Sequence, residues 1–278
     1  MKLTRRDFLK LTSVVLAGLI LPPTVVLVSI NEVNDPVIKR VQLSIRNLPE
    51  AFEGYRIAVL SDFHIYPYTT RKLVQKAIVL ANSLKPDLGV YLGDYVWKDD
   101  EAIFDLAPIL STLNATDGIY SILGNHDYWL NVETIKKGLL ESRIPVLINQ
   151  GISLNKGSGL VNLIGLDDGW SGNPDLKTAA EGLPGEAPAI LLLHEPDLAD
   201  RYSFDPRIFL QLSGHTHGGQ VRINNQPIIS PYLGEKYNLG LYQVGKMWLY
   251  TNGGIGTISV PLRYNCPPEV TEITLFGG

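Results

Sequence analysis

The sequence predicts an α/β fold in which helices cover both faces of a sheet. Short, continuous apolar runs recur along the chain, and each is followed by a loop that contains Gly, Asp, Asn or His. A stretch with helical periodicity follows the first three of these loops. Continuous apolar runs that alternate with helices are typical of strands that are buried on both faces.

The elements follow one another in a regular order. Residues 38–45 alternate apolar and polar side chains, which predicts a half-buried strand. Three units follow, each with a strand ahead of a helix-like stretch: residues 55–64 before 69–84, 87–94 before 100–113, and 118–127 before 131–142. Residues 189–197 and 207–217 contain two further apolar runs, and mostly strand-like sequence follows. Because no repeat or second linker interrupts the pattern, we expect one domain over residues 37–278.

Composition and charge exclude several functional classes. The 278 residues are 45% hydrophobic and 19% charged, which is ordinary for a globular protein. The net charge of −4 and the pI of about 5.7 indicate no nucleic-acid groove. Cys266 is the single cysteine, so no intramolecular disulfide can form, and we expect it to be a small buried hydrophobe. The motifs of P-loop proteins, HExxH metalloproteases and G-x-S-x-G hydrolases do not occur.

The N-terminal segment resembles a twin-arginine export signal. Residues 4–10, "TRRDFLK", contain Arg5 and Arg6 and precede an uncharged run over residues 11–30. A run of this length can span a bilayer, and arginines before it place the remaining chain outside the cytoplasm. We find no small-x-small cleavage site, so we expect residues 1–36 to be a membrane anchor and a polar linker. The alternative is a cleaved signal and a soluble exported protein.

Every histidine of the chain falls in a loop that follows one of five predicted strands. The candidate metal-binding or catalytic side chains in these loops are Asp62, His64, Asp94, Asn125, His126, Asp127, His194, His215 and His217. Since the carboxyl ends of strands in an open α/β sheet gather at one edge, we expect these side chains to form one site. Carboxylate, carboxamide and imidazole groups suit Mn, Fe or Zn, and the lack of a thiolate argues against a structural zinc site. The ligands suffice for two ions that share a carboxylate.

The motifs "DFH", "GD", "GNHD", a later single His and "GHTH", in this order, resemble the calcineurin-like metallophosphoesterases. The resemblance runs from about Tyr55 to the C-terminus. "GHTHGGQ" and "LRYNCPPEV" are similar to its YkuE/YaeI-type branch, which includes or borders phosphodiesterases and UDP-diacylglucosamine hydrolases. The resemblance implies a four-layer αββα sandwich, preceded here by the hydrophobic signal or anchor helix, and two divalent metal ions.

The resemblance also implies a role for each candidate residue. The first metal would be bound by Asp62, His64 and His217, the second by Asn125, His194 and His215, and Asp94 would bridge both. A hydroxide bridging the ions would attack the phosphorus, while the ions neutralise the phosphoryl oxygens. His126, cationic beforehand, would protonate the leaving-group oxygen, and Asp127, where many relatives have Glu, would steady that region.

Three functions follow from this pattern. The first is hydrolysis of phosphodiester or pyrophosphate bonds, including those of lipid-linked substrates, by a protein whose other partners are the twin-arginine export machinery and the membrane. The second is a phosphomonoesterase that acts on nucleotides or phosphoproteins. The third is a non-catalytic metal-binding scaffold, against which the intact His126 argues.

Two other features have two interpretations each. The segment 128–130, "YWL", either lines an apolar cleft for a lipid or packs in the core. Arg263 either contacts a second phosphate as a bidentate donor or pairs with Glu269.

Overall fold

The computed structural model describes residues 32–278. The predicted export signal or anchor lies in residues 1–31, outside this part of the chain. Among the described residues, no helix is both long enough and apolar enough to cross a membrane.

Five strands form the first sheet, in the order β1 (Val37–Ile45), β13 (Glu269–Gly277), β2 (Tyr55–Leu60), β3 (Leu88–Tyr91) and β4 (Ile119–Ser121). The strands β2, β3 and β4 are parallel to one another. In contrast, β13 is antiparallel to β2 and parallel to β1. As a result, β1 begins at the edge of the sheet where β2, β3 and β4 end.

Six strands form the second sheet, in the order β11 (Gly240–Val244), β12 (Met247–Thr251), β8 (Ile208–Ser213), β7 (Ala189–Leu192), β6 (Gly159–Gly165) and β5 (Gln150–Lys156). Its four central strands are parallel, and the two outer strands pair antiparallel with their neighbours. A separate short hairpin joins β9 (Arg222–Ile223) to β10 (Gln226–Pro227).

The helices are α1 (Arg71–Ser83), α2 (Ile103–Leu110), α3 (Asn125–Tyr128), α4 (Val132–Glu141), α5 (Leu176–Ala179) and α6 (Ala199–Tyr202). The longest, α1, begins at Thr70, whose side chain accepts a hydrogen bond from the backbone N–H of Leu73. Its buried residues recur at helical spacing and form one face: Leu73, Val74, Ala77, Ile78 and Ala81. Short 3-10 helices occur at Glu50–Phe52, Asp100–Ala102, Pro196–Leu198 and His217–Gly219.

Three hydrophobic clusters show how the layers pack. In β2, Ala58 and Leu60 belong to the cluster beneath α1, α2 and α4, whereas Ile57 and Val59 belong to a cluster shared by the two sheets. This alternation is the normal consequence of strand geometry. The third cluster packs α5 and α6 on the outer face of the second sheet. The order of layers is therefore helices, sheet, sheet, helices.

The α/β class is confirmed, and the layers agree with the αββα sandwich that the resemblance implies. The apolar runs alone predict a single sheet, whereas the structure has two. The five predicted strands divide between them, because β2, β3 and β4 lie in the first sheet and β7 and β8 in the second. Each sheet is covered by helices on one face and by the other sheet on its second face. A strand buried against a sheet has the same apolar pattern as one buried against a helix, so the pattern does not distinguish the two arrangements.

Candidate metal centre

The seven predicted metal ligands all lie just beyond the ends of strands. Each follows the last residue of β2, β3, β4, β7 or β8 by two to four positions. The two sheets are packed face to face, and the contacts given below show that the loops from both meet at one edge. Strand ends from both sheets therefore build the predicted site.

The backbone of this region adopts conformations that are uncommon for residues with a side chain. Five of the seven candidate ligands have a positive φ: Asp62 (52°), His64 (41°), Asp94 (58°), His215 (73°) and His217 (50°). Such conformations cost free energy unless the surrounding structure holds them, and they cluster at functional sites.

One group of candidate ligands is compact and fully buried. Asp62, His64, Asp94 and His217 each offer one ligand atom, and these atoms all lie within 4.8 Å of one another. His64 Nε2 lies 3.0 Å from His217 Nε2 and 3.3 Å from Asp94 Oδ2. His217 Nε2 lies 3.4 Å from Asp62 Oδ1. Imidazole and carboxylate atoms that converge in this way fit a divalent cation.

The second group of candidates is oriented by backbone carbonyl groups. His194 Nδ1 lies 2.6 Å from the carbonyl oxygen of Leu92, so its N–H donates there and Nε2 carries the lone pair. His215 Nε2 donates in the same way to the carbonyl oxygen of Tyr232 at 2.8 Å. Its Nδ1 then faces Asn125 Oδ1 at 3.0 Å. With the N–H groups bonded in this way, His194 Nε2, His215 Nδ1 and Asn125 Oδ1 are left as acceptor atoms that can bind a metal ion.

Asp94 lies between the two groups. Its Oδ2 is 3.3 Å from both His64 Nε2 and His194 Nε2. Neither Asp94 Oδ2 nor His194 Nε2 has a hydrogen-bond partner among the described residues, although both are buried. Burial opposes a charge on His194, yet the neighbouring Asp94 raises the pKa of His194 well above its usual value. The pair therefore needs a positive charge, which either a proton or a divalent cation supplies. The residues therefore fit a pair of divalent ions that share Asp94.

The protonation states of His215 and His217 are consistent with metal binding. Burial lowers the pKa of His215 to about 3 and places that of His217 well below its usual value. Both imidazoles are therefore neutral near pH 7, the form that binds metals.

His126 lies between this centre and the solvent. Its ring centroid is 4.7 Å from that of His64 and 4.4 Å from that of Trp129. Burial, opposed by the charge of Asp94, lowers the pKa of His126 to about 4. The expectation that His126 is cationic beforehand therefore does not hold for this environment, because burial disfavours the charged form.

Asp127 faces the protein interior. Its Oδ2 accepts hydrogen bonds from the backbone N–H groups of Asp94 and Gly124, and its Oδ1 accepts one from Tyr95, all at 2.9 Å. The side chain thus ties the loop after β3 to the loop after β4. We interpret Asp127 as a positioning residue for Asp94, not as a residue that contacts the reacting atoms.

The glycines of the motifs leave room for the ligands. A Cβ atom on Gly124 would lie 2.4 Å from Asp94 Oδ1 and 2.7 Å from His194 Cε1. A Cβ atom on Gly214 would lie 2.6 Å from Asp62 Oδ2. Both distances are far below van der Waals contact, so any larger residue displaces a ligand.

The prediction for Arg263 is wrong in both its forms. Its side chain is fully buried and donates hydrogen bonds to the carbonyl oxygens of Gly253, Gly254 and Gly256. The loop that it holds bonds in turn to the Asp62 region, because Gly256 N–H donates to the carbonyl oxygen of Asp62 at 2.7 Å. Arg263 therefore holds the loop 253–256, which in turn bonds to the backbone of Asp62. It forms no ion pair with Glu269. The glycine-rich stretch 253–256 was the available signal for such a close approach.

Aromatic side chains line the opening of the metal centre, which we call the mouth. Of these residues, only Trp129 belongs to a segment that stood out in the sequence. Trp129 is 52% exposed, so it is not part of the core, whereas its neighbours Tyr128 and Leu130 pack against the first cluster. The Trp129 ring lies 5.1 Å from that of Trp170, which lies 5.9 Å from His215 and 5.5 Å from Tyr232. A continuous row of rings therefore runs from His126 to Tyr232.

Comparison with known proteins agrees with this geometry. Residues 55–219, more than half of the chain, match the sequence profile of the family described as calcineurin-like phosphoesterase. The uncharacterized metallophosphoesterase YkuE of Bacillus subtilis is 38% identical over 234 residues, which cover 82% of this chain and 81% of that protein. The phosphodiesterase YaeI of Escherichia coli is 33% identical over 229 residues, which cover 80% and 82%.

Solved structures share the fold at low sequence identity. The NAD nucleotidase of Haemophilus influenzae superposes with a TM-score of 0.51 at 18% identity, covering 73% of this chain and 45% of that one. The sulfate thiohydrolase SoxB of Thermus thermophilus gives a TM-score of 0.52 at 12% identity, covering 82% and 57%. The chain thus spans about half the length of these structures, and the likeness concerns the fold alone.

Proposed function

The chain belongs to the calcineurin-like phosphoesterase family, and from this premise we propose that it is a phosphodiesterase with two divalent metal ions that acts outside the cytoplasm. The family implies a metal-dependent hydrolase of phosphoesters. The observation that carries the proposal is the buried position of Asp94, whose Oδ2 lies 3.3 Å from His64 Nε2 in the first group and from His194 Nε2 in the second. These converging atoms support metal binding, and the intact His126 beside them argues against a non-catalytic metal-binding scaffold.

The proposal assigns Asp62, His64 and His217 to the first ion, and Asn125, His194 and His215 to the second. Asp94 serves both. When bound, the two ions supply positive charge that activates water and stabilises the phosphoryl oxygens. Mn, Fe and Zn suit this mixture of imidazole, carboxylate and carboxamide ligands.

His126 acts on the substrate by a hydrogen bond in this proposal. Its backbone N–H donates to Asp94 Oδ1 at 2.9 Å, which holds the residue beside the centre. Its ring is neutral when the site is free, and an approaching phosphate anion favours its protonated form, since an opposite charge raises the pKa of an imidazole. The ring can then deliver a proton to the leaving-group oxygen.

The aromatic mouth supports a diester over a monoester. A diester carries an organic group on each side of the phosphorus, and one of these must lie toward the mouth. Trp129 and Trp170 offer apolar faces there, and the indole N–H of Trp129 is already bonded to Ser171 Oγ at 3.0 Å. The name of the relative YaeI, a phosphodiesterase, agrees with this choice.

A rate comparison tests the proposal. The purified full chain is stripped of metal, reloaded with Mn, Fe or Zn, and assayed on bis-nitrophenyl phosphate, nitrophenyl phosphate and a pyrophosphate ester. We expect metal-dependent turnover with a higher kcat/KM for the diester. Preference for the monoester would instead support a phosphatase of nucleotides or phosphoproteins, and no turnover of any of the three substrates would support a scaffold.

Export by the twin-arginine machinery is part of the proposal and rests on residues 4–30 of the sequence. Changing both Arg5 and Arg6 to Lys should keep the protein inside the cell. If the segment is an uncleaved anchor, the mature protein retains residues 1–30 and fractionates with membranes. A soluble exported form that begins near Asn31 would refute the anchor but not the export.

A further inference from the structure

A cluster of exposed apolar side chains lies in and after the β9–β10 hairpin. Ile223, Ile228, Ile229 and Tyr232 are 47%, 54%, 74% and 58% exposed. We call these four residues the hairpin surface. Single exposed hydrophobic residues are common on soluble proteins, but four large ones within ten positions indicate an interaction surface.

The hairpin surface borders the metal centre directly. The carbonyl oxygen of Tyr232 accepts the hydrogen bond from His215 Nε2. The ring of Tyr232 contacts Trp170, which continues the apolar surface to the mouth. Whatever covers the hairpin surface therefore also faces the opening of the centre.

The described chain begins at the same edge of the molecule. Val37 N–H donates to the carbonyl oxygen of Pro268 at 2.9 Å, and Arg222 N–H donates to the carbonyl oxygen of Tyr264 at 2.9 Å. The segment 264–268 thus lies between the start of β1 and the hairpin. The uncharged run that ends at Ile30 is separated from Val37 by at most about 25 Å of chain, from the length of seven extended residues.

The hairpin can insert into the apolar part of a bilayer without burying a charged side chain that lacks hydrogen-bond partners. Between Val221 and Leu233 the one charged residue is Arg222. Its guanidinium donates to the carbonyl oxygen of Gly218 at 2.7 Å and to Asn238 Oδ1 at 3.0 Å. Isoleucine and tyrosine side chains on such an element suit the boundary between headgroups and acyl chains, where a tyrosine ring keeps its hydroxyl in water.

We propose that the hairpin surface docks on a lipid bilayer, so that the mouth of the metal centre faces the membrane surface. The occupant is a bilayer because the described chain begins on this side of the molecule, and an uncharged run of twenty residues, long enough to span a bilayer, ends seven positions before Val37 in the sequence. The substrate class that follows is a phosphodiester presented at the lipid surface. This last step rests on the proposed phosphodiesterase activity, whereas the docking does not.

Fluorescence quenching tests the docking without any activity. The full chain is reconstituted in phosphatidylcholine vesicles with and without brominated acyl chains, as the parent, as Ile229→Trp and as Phe204→Trp. Phe204 is a matched control because it is 86% exposed and precedes β8, and so lies at the opposite edge of the sheet. We expect bromine to weaken the added emission of Ile229→Trp roughly twofold, since interfacial elements reach the acyl boundary.

The control should show no added quenching. Equal quenching of both variants, or none for Ile229→Trp in a chain with parental near-ultraviolet dichroism, overturns the docking. A concentration-dependent change in Ile229→Trp emission that bromine does not affect would show that a second copy covers the surface, which also overturns it.

A second measurement connects docking to the substrate. For Ile229→Ser, the ratio of the rate on a vesicle-borne phosphodiester to the rate on a soluble nitrophenyl diester should fall roughly tenfold, since burial of one isoleucine is worth at least that factor. Phe204→Ser should leave the ratio unchanged. An unchanged ratio for Ile229→Ser would overturn the lipid-surface substrate. Specific quenching in a chain that hydrolyses no diester would refute the proposed function and leave the docking intact.

Discussion

The metal centre and its mouth adjoin one another, yet different contacts hold their side chains. In the centre, backbone groups orient several side chains, as the carbonyl of Leu92 orients His194 and the carbonyl of Tyr232 orients His215. In the mouth, Trp129 and Trp170 are partly exposed and are held mainly by contacts with other rings. Under the proposed function, we expect the centre to determine whether the reaction occurs and the mouth to determine which substituent is accepted.

The largest expected effect concerns Asp94. In Asp94→Ala we expect loss of at least one metal equivalent and of nearly all activity, because one carboxylate serves both groups of ligands. Metal analysis together with the rate on a nitrophenyl diester measures both. An active variant that retains two ions would show that Asp94 does not bridge them.

The second-largest expected effect, that of replacing His126, distinguishes a role in proton transfer from a role in metal binding. His126→Ala should slow hydrolysis of an alkyl diester by about 10²–10⁴, the usual contribution of a general acid, because an alkoxide needs a proton to leave. A nitrophenolate leaves without one, so the nitrophenyl diester should be much less affected.

The comparison of the two esters is made with metal content measured in the same samples. Metal should be retained, because Asn125 rather than His126 is the proposed ligand in that loop. Equal losses on both esters would show that His126 mainly positions the phosphate. Lost metal would mean that the loop after β4 is assigned incorrectly.

A smaller effect tests how rigidly the centre is built. In Gly124→Ala the new Cβ atom would overlap Asp94 Oδ1. We expect metal affinity to fall roughly 10–100-fold, as for changes that displace a ligand's supporting contacts. Gly185→Ala is the matched control, since a Cβ atom there meets nothing within 4 Å. Unchanged affinity in Gly124→Ala would show that the loops adjust freely.

The difference between local sequence patterns and tertiary contacts explains which features could be predicted from the sequence. The seven ligand candidates were found because each follows an apolar strand directly, so that a local pattern carries the information. The division into two sheets was implied by the family resemblance and not by the apolar pattern itself, since burial against a sheet or a helix requires the same side chains. The strands β5 and β6 lie in a stretch where polar residues interrupt the apolar pattern.

Tertiary contacts between residues that are distant in the sequence, or between loops, account for the other errors. Arg263 was expected either to contact a second phosphate or to pair with Glu269, but its buried guanidinium donates instead to glycine carbonyl groups. Trp170 follows a turn in which its backbone N–H bonds to Asp168 Oδ2. Its approach to His215 depends on the loop from another strand, and no spacing in the sequence indicates it.

The smallest expected effect lies at the mouth. Trp129→Ala should raise KM for bis-nitrophenyl phosphate roughly threefold to tenfold, the worth of one aromatic contact, with little change in kcat or metal content. The small diester methyl nitrophenyl phosphate should lose less, because its second substituent cannot cover the ring, and Phe204→Ala should change neither substrate. A fall in kcat with KM unchanged would mean that Trp129 mainly holds His126, whose ring it contacts at 4.4 Å. In that case the mouth would belong to the catalytic machinery, and the division between chemistry and selection would lie farther out, at Trp170 and the hairpin surface.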